Sequence, residues 1–166
     1  MVKFDSVNLT EVSVSLPWGI GSAKWQPDTT ERAAAWQLYI ELVTRVAVQP
    51  LDADAGLVRE ALNSLYSLFG STREILRTAG PNVGASKESV GGIAIAVLNH
   101  GLRPFLSRWH PILQEWEAQK PQGVSAVAHE KGWELEPTLR QDLSQLRTGL
   151  EAYAHALAKI AGIDAP

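Results

Sequence analysis

Cysteine is absent from the 166 residues. That single absence removes disulfides, thiolate zinc sites and cysteine nucleophiles together. No large excess of one charge exists either. Lys and Arg number 15 against 18 Asp and Glu, a net charge of −3 that gives no general electrostatic pull toward nucleic acid. Long apolar runs are missing too: the longest, Val90 to Leu98, falls far short of the ~20 residues that cross a bilayer. No segment of helical period carries the Lys/Arg-rich polar face of an interfacial anchor. The first residues, M-V-K-F-D-S, contain no apolar core of a signal peptide. These absences predict a soluble, cytoplasmic chain with no membrane partner.

Motifs with a fixed chemistry are also lacking. Neither Glu-x-x-His, His-x-x-x-His nor His-Glu-x-x-His occurs, so neither the carboxylate–histidine sites of helical bundles nor a helical zinc site is expected. No Gly-x-Ser-x-Gly marks a nucleophile. The small-residue stretch Gly80–Gly92 does not fit a phosphate-binding loop, although a helix start near Ser86 could offer free N–H groups. The expectation is therefore no metal and no cofactor.

What is present is ordinary for a globular fold, with 45% hydrophobic and 20% charged residues in a length that suits one domain. Six tryptophans are many for this length; the plainest role for each is a core anchor. Residues 1–27 differ from the rest. Val12, Val14 and Leu16 alternate with serines, Pro17-Trp18-Gly19-Ile20-Gly21 reads as a turn, and Gly21–Trp25 can return as a second strand. Val7 and Leu9 extend the alternation toward the N-terminus. An isolated hairpin is marginal, so this extended arm must lie on its own helices or on a partner.

Residues 28–166 then read as a single domain of four helices. Asp28 followed by Glu31 is a capping-box start for a helix over about 28–48, stopped by Gln49-Pro50. Apolar residues, Trp36 and Ile40 among them, cover most of its circumference, and Glu41 and Arg45 are spaced as an ion pair. A second helix spans about 54–79 and ends at Gly80-Pro81; its Arg73 and Arg77 are like charges one turn apart, unfavourable unless an acid or anion lies near. The third covers about 87–119 and must be kinked near Gly101, because Pro104 and Pro111 remove bonds to the carbonyls of His100 and Ser107. Residues 120–133 read as a loop holding at most one short helical turn. The last helix spans 136–161, with Leu139, Leu143, Leu146, Leu150, Tyr153, Leu157 and Ile160 as a strict four-three seam. The fold expected is all-α, an up-down-up-down four-helix bundle preceded by a β-hairpin-like arm.

Reactive side chains concentrate between Asn99 and Trp116. Asn99, Arg103, Ser107 and His110 share one helical face, with Arg108 about a quarter-turn away. An arginine with an imidazole is the minimum equipment for handling a phosphodiester: guanidinium for the phosphate oxygens, imidazole for the proton. Arg103-x6-His110 on a bundle helix resembles the Arg-x4–6-His signature of the HEPN ribonucleases, over those eight residues, with Pro104 where that family usually has a polar residue. The resemblance implies an RNA-directed phosphodiesterase or a nucleotide-binding bundle with Arg103 and His110 as catalytic pair. The reading of the residues themselves favours a non-enzymatic protein-interaction module, self-associating or an accessory subunit. In that reading Trp18 and Trp25 of the arm, with Asn99 and Arg108, form the binding surface. The exposure of the Asn99–His110 line separates the two.

Overall fold

A computed structural model describes residues 10–45, 51–52 and 56–164 of the chain. It is mostly helical, with one small two-stranded antiparallel sheet. The expected strand pattern at Val7 and Leu9 lies outside the described residues, as do Val48 and Asp54 themselves. The first helix ends earlier than expected, at Val43, where Arg45 N bonds to Leu42 O in a tighter turn. The second starts later, at Val58, after an extended Leu57.

The hairpin forms as its alternation requires. Strand β1 (Val12–Leu16) pairs with β2 (Gly21–Trp25), from Val12 opposite Trp25 to Leu16 opposite Gly21. Trp18 (φ 59°) and Gly19 (φ 72°) turn the chain, both in the left-handed region that tight hairpins use. That conformation is unfavourable for a bulky residue, and packing explains it. The Trp18 ring lies so close to Gly101 and Gly149 that a Cβ on either glycine would collide with it. Val12, Val14 and Ala23 are buried, and β1 packs on the last helix, so the arm lies on its own helices.

Helix α1 (Thr29–Val43) starts at the expected capping box, with Asp28 Oδ1 accepting from Glu31 N at 2.8 Å and Glu31 Oε2 from Asp28 N at 3.1 Å. Buried Glu31 also accepts from Trp25 Nε1 at 3.2 Å and Val90 N at 3.3 Å, joining hairpin, α1 and the start of the third helix. The apolar circumference is only partly covered. Ala34, Ala35, Leu38, Tyr39 and Leu42 face the neighbouring helices, while Trp36 (46% exposed) and Ile40 (39%) face outward.

Helix α2 (Val58–Ala79) has no side-chain cap of its own. Glu130, distant in sequence and buried, supplies one: its Oε1 accepts from Val58 N at 2.6 Å and its Oε2 from Arg59 N at 3.4 Å. The third helix begins at Ser89, whose hydroxyl accepts from Gly92 N, three residues later than Ser86 was expected to start it. Gly91 and Gly92 explain the delay, because they press against Val83 O, Ser86 O and the Lys87 backbone, closing the small-residue stretch on itself. It then runs as α3 (Val90–Val97), a π turn (Leu98–Leu102) and α4 (Arg103–Glu117). The irregularity falls where Pro104 predicts it. With no donor at Pro104, Arg103 N bonds to Leu98 O five residues back, which widens the helix by one residue.

Helix α5 (Ala126–Lys131) is the short turn expected in the loop. His129 and Glu130, read as loop residues, are buried. The His129 ring stacks on Trp116 at 4.4 Å, the Trp116 indole N–H donates to His129 O at 2.9 Å, and Trp133 stacks on Trp116 and meets Trp109 edge-on. Helix α6 (Glu136–Ala161) buries the whole predicted seam and ends at Gly162 in the left-handed conformation. Burial pushes the Tyr153 phenol well above its ordinary range, a neutral core group. Among the described residues no helix is long and apolar enough to cross a membrane.

Candidate functional site

Helices α2 and α4 leave a cleft of about 580 Å³ between them. On α2, Phe69 and Gly70 both lie three or four residues from Tyr66 and from Arg73, so the four share a face. On α4, Arg103, Ser107 and His110 do the same opposite them. Asn99, Arg103 and Ser107 of the predicted polar line are exposed and His110 is half-buried, so the line borders solvent and is not sealed in the core. Phe69 and Leu106 are buried and form the floor, while Tyr66 stands at one end, 66% exposed.

Two guanidiniums surround one ring. Arg73 lies 5.7 Å and Arg103 5.1 Å from the Phe69 centroid, cation–π contacts that hold both beside the cleft. Neither has an acidic partner among the described residues. Of the seven other arginines five are paired with acids: Arg45 with Glu41, Arg59 with Glu117, Arg108 with Asp142, Arg140 with Glu136 and Arg147 with Glu151. Arg32 donates to the Ile160 and Thr10 carbonyls, and Arg77, like Arg73 and Arg103, has no acidic partner among the described residues. Arg103 Nε donates only to Asn99 Oδ1, at 3.2 Å. The cleft is thus a place where positive charge is left uncompensated.

His110 is half-buried, and its Nδ1 lies 2.8 Å from Arg59 Nη1. A guanidinium has only donors, so Nδ1 must accept and the proton of the neutral ring sits on Nε2. Arg59 is itself gripped by Glu117, both carboxylate oxygens 3.0 Å from its Nε. The pair spans α2 to α4 and fixes the imidazole with an N–H available on Nε2. A ring held this way can donate to an anion. It has no free lone pair with which to take a proton from a hydroxyl.

Gly70 is the remaining part of the wall. A glycine inside a long helix disfavours that helix by about 1 kcal/mol relative to alanine. Nothing of the chain requires it, since a Cβ there would meet no atom within 4 Å. What the missing side chain leaves is room between Tyr66 and Arg73. Gly70→Ala is accordingly expected to raise stability by about 0.5–1 kcal/mol. A denaturant titration checks it, and a loss of stability would show that the glycine serves the fold.

Other expected binding residues have structural places. Trp18 is wedged against Gly101 and Gly149, and Trp25 is half-buried and bonded to Glu31, so neither ring is free to dock elsewhere. Arg108 turns from the cleft, stacks on Trp109 at 4.7 Å and pairs with Asp142 at 3.0 Å. Asn99 holds Arg103. Glu41 and Arg45 pair as expected, and Arg45 also donates to Ser67 and Ser71, tying α1 to α2. The α2 wall was not legible beforehand. Its one sequence signal was the uncompensated Arg73–Arg77 pair. Among the described residues no group of three or more His, Asp or Glu is placed to hold a metal ion. Compared with protein-family models, with curated proteins and with solved structures, the chain finds no match.

Proposed function

We propose that this chain is a ligand-binding up-down-up-down four-helix bundle, with α3 and α4 serving as one kinked member. In this reading it holds a phosphate-bearing ligand in the α2–α4 cleft without transforming it. The observation that carries it is the pair of guanidiniums around the Phe69 ring, Arg73 and Arg103, neither with an acidic partner among the described residues. Two arginines close together without acids repel each other, and an anion between them removes that repulsion. His110 Nε2–H and the Ser107 hydroxyl are further donors on the same cleft. The His110–Arg59 bond favours binding over the phosphodiesterase reading, because the imidazole would have to give up Arg59 before it could act as a base.

Calorimetric titration with inorganic pyrophosphate tests the proposal. Arg73→Gln and Arg103→Gln should each weaken binding about tenfold or more, the loss of one charge-assisted contact. Absence of any pyrophosphate binding to the unaltered chain would end the proposal. Incubation with single-stranded RNA should leave the RNA intact; cleavage that disappears in His110→Ala would restore catalysis by Arg103 and His110.

The protein-interaction reading keeps one specific observation in its favour: Trp36 and Ile40, one turn apart on α1 and both outward. Exposed large apolar side chains grouped on one face mark surfaces where partners or second copies meet. A Trp36→Ser, Ile40→Ser variant that lowers the mass measured by light scattering would place self-association there.

A further inference from the structure

We infer that the ligand of the α2–α4 cleft is a mononucleotide, a nucleoside diphosphate, with its base on Tyr66 and its phosphates at Arg73 and Arg103. The inference rests on the phosphate-binding reading above and adds the rest of the molecule to it. Tyr66 is the reason. Among the described residues it is the most exposed of the large hydrophobic ones, at 66%. Its ring lies nearly parallel to His110, 6.2 Å between centroids, and tilted to Phe69 at 6.3 Å, and most of it remains open to solvent. An aromatic face standing open at one end of a cleft whose middle holds two guanidiniums matches a molecule that is flat at one end and anionic at the other.

Gly70 fits the same occupant. It lies one turn beyond Tyr66 and nearly one turn before Arg73, and the space over it is open. A sugar linking a base on Tyr66 to phosphates at Arg73 must cross that point, where any larger side chain would stand in its way. The Ser107 hydroxyl borders the same stretch and is a donor and acceptor that a ribose would meet. About 580 Å³ is also within the range of sites that enclose one small molecule.

Two observations choose a mononucleotide over a polymer. The chain carries a net charge of −3, and the arginines flanking the cleft, Arg59 and Arg108, are occupied by Glu117 and Asp142. A strand of RNA or DNA needs a continuing series of free cations along its backbone. Two guanidiniums on opposite walls suit the charge of a diphosphate better than that of a lone phosphate.

Calorimetric titrations of the full chain with ADP, GDP, CDP, UDP, AMP, pyrophosphate and a short single-stranded oligoribonucleotide test the inference. At least one nucleoside diphosphate should bind about tenfold or more tightly than pyrophosphate, the contribution of one stacked base, and more tightly than AMP. Tyr66→Ala should bring that nucleotide down to the level of pyrophosphate and leave pyrophosphate itself unchanged. Because Tyr66 is exposed, this variant should keep the unfolding midpoint of the parent, and Gly70→Phe, which fills the cleft, is a second variant expected to abolish nucleotide binding. If every nucleotide binds no better than pyrophosphate, the inference falls while the phosphate-binding reading stands. If nothing binds, both fall. An oligoribonucleotide that binds more tightly than any nucleoside diphosphate overturns the inference in favour of a polymer.

Discussion

Trp18→Ala is expected to lower the unfolding free energy by about 2–4 kcal/mol, somewhat below the range for a fully buried tryptophan. The indole is half-buried, but it is the piece that seats the hairpin turn on two helices at once. Gly101 lies in the π turn and Gly149 in the middle of α6, and both approach the ring too closely to tolerate a Cβ. Removing the ring leaves a gap bordered by two glycines that have no side chains with which to fill it. The same variant also retains a left-handed φ at a non-glycine residue, so strain formerly offset by packing would remain. Chemical denaturation gives the number, and light scattering gives the complementary one. The mass should not change. A variant that unfolds like the parent but falls to a lower mass would show that Trp18 works between chains, as the free-arm expectation had it.

Glu130→Ala should cost about 2–4 kcal/mol, the loss of charge-assisted bonds from a buried carboxylate together with the donors it leaves unpaired. Glu130 receives the first backbone N–H groups of α2 and lies 3.9 Å from Arg140 Nη2, which in turn donates to Gly56 O at 2.8 Å. This one side chain compensates the positive end of the α2 dipole, and it shares Arg140 with Glu136. Glu130→Gln keeps an acceptor and should cost less than Glu130→Ala. The effect should reach the cleft as well. Arg59 is the second residue of α2, and when that end frays His110 loses the partner that fixes its tautomer. Urea titrations of both variants check the ordering, and a change below ~0.5 kcal/mol in Glu130→Ala would mean that water caps α2 equally well.

Much of this architecture could be read from local spacing. Asp28 and Glu31 are three residues apart, the distance a capping box spans, and no distant contact is needed to form it. The α6 seam is a repeat within one helix and predicts its own buried face. Pro104 forbids one hydrogen bond wherever the helix lies, so the break near Gly101 was legible, although its form as a π turn was not. Local spacing misled where several local solutions were equivalent. Ser86 and Ser89 are both good caps, and the close approach of Gly91 and Gly92 to the preceding backbone selects the later one. On α1 the apolar stripes are neighbours, and no periodicity says which of them α2 and α6 will cover. Trp36 and Ile40 are left outside as a result.

The sequence by itself determined the helical class, the hairpin and its turn, the capping-box start at Asp28, the helix ends at Gly80 and Gly162, the break set by Pro104, and the common face of Asn99, Arg103, Ser107 and His110. Each follows from interactions within a few residues along the chain. Only the tertiary structure decided that this face opens on a cleft, that Tyr66, Gly70 and Arg73 form its other wall, and that Arg59 fixes His110. Those facts depend on which helix lies beside which, and on which arginines find an acid there. The same packing took Trp18 from the arm and set it between two glycines, one of them more than a hundred residues away.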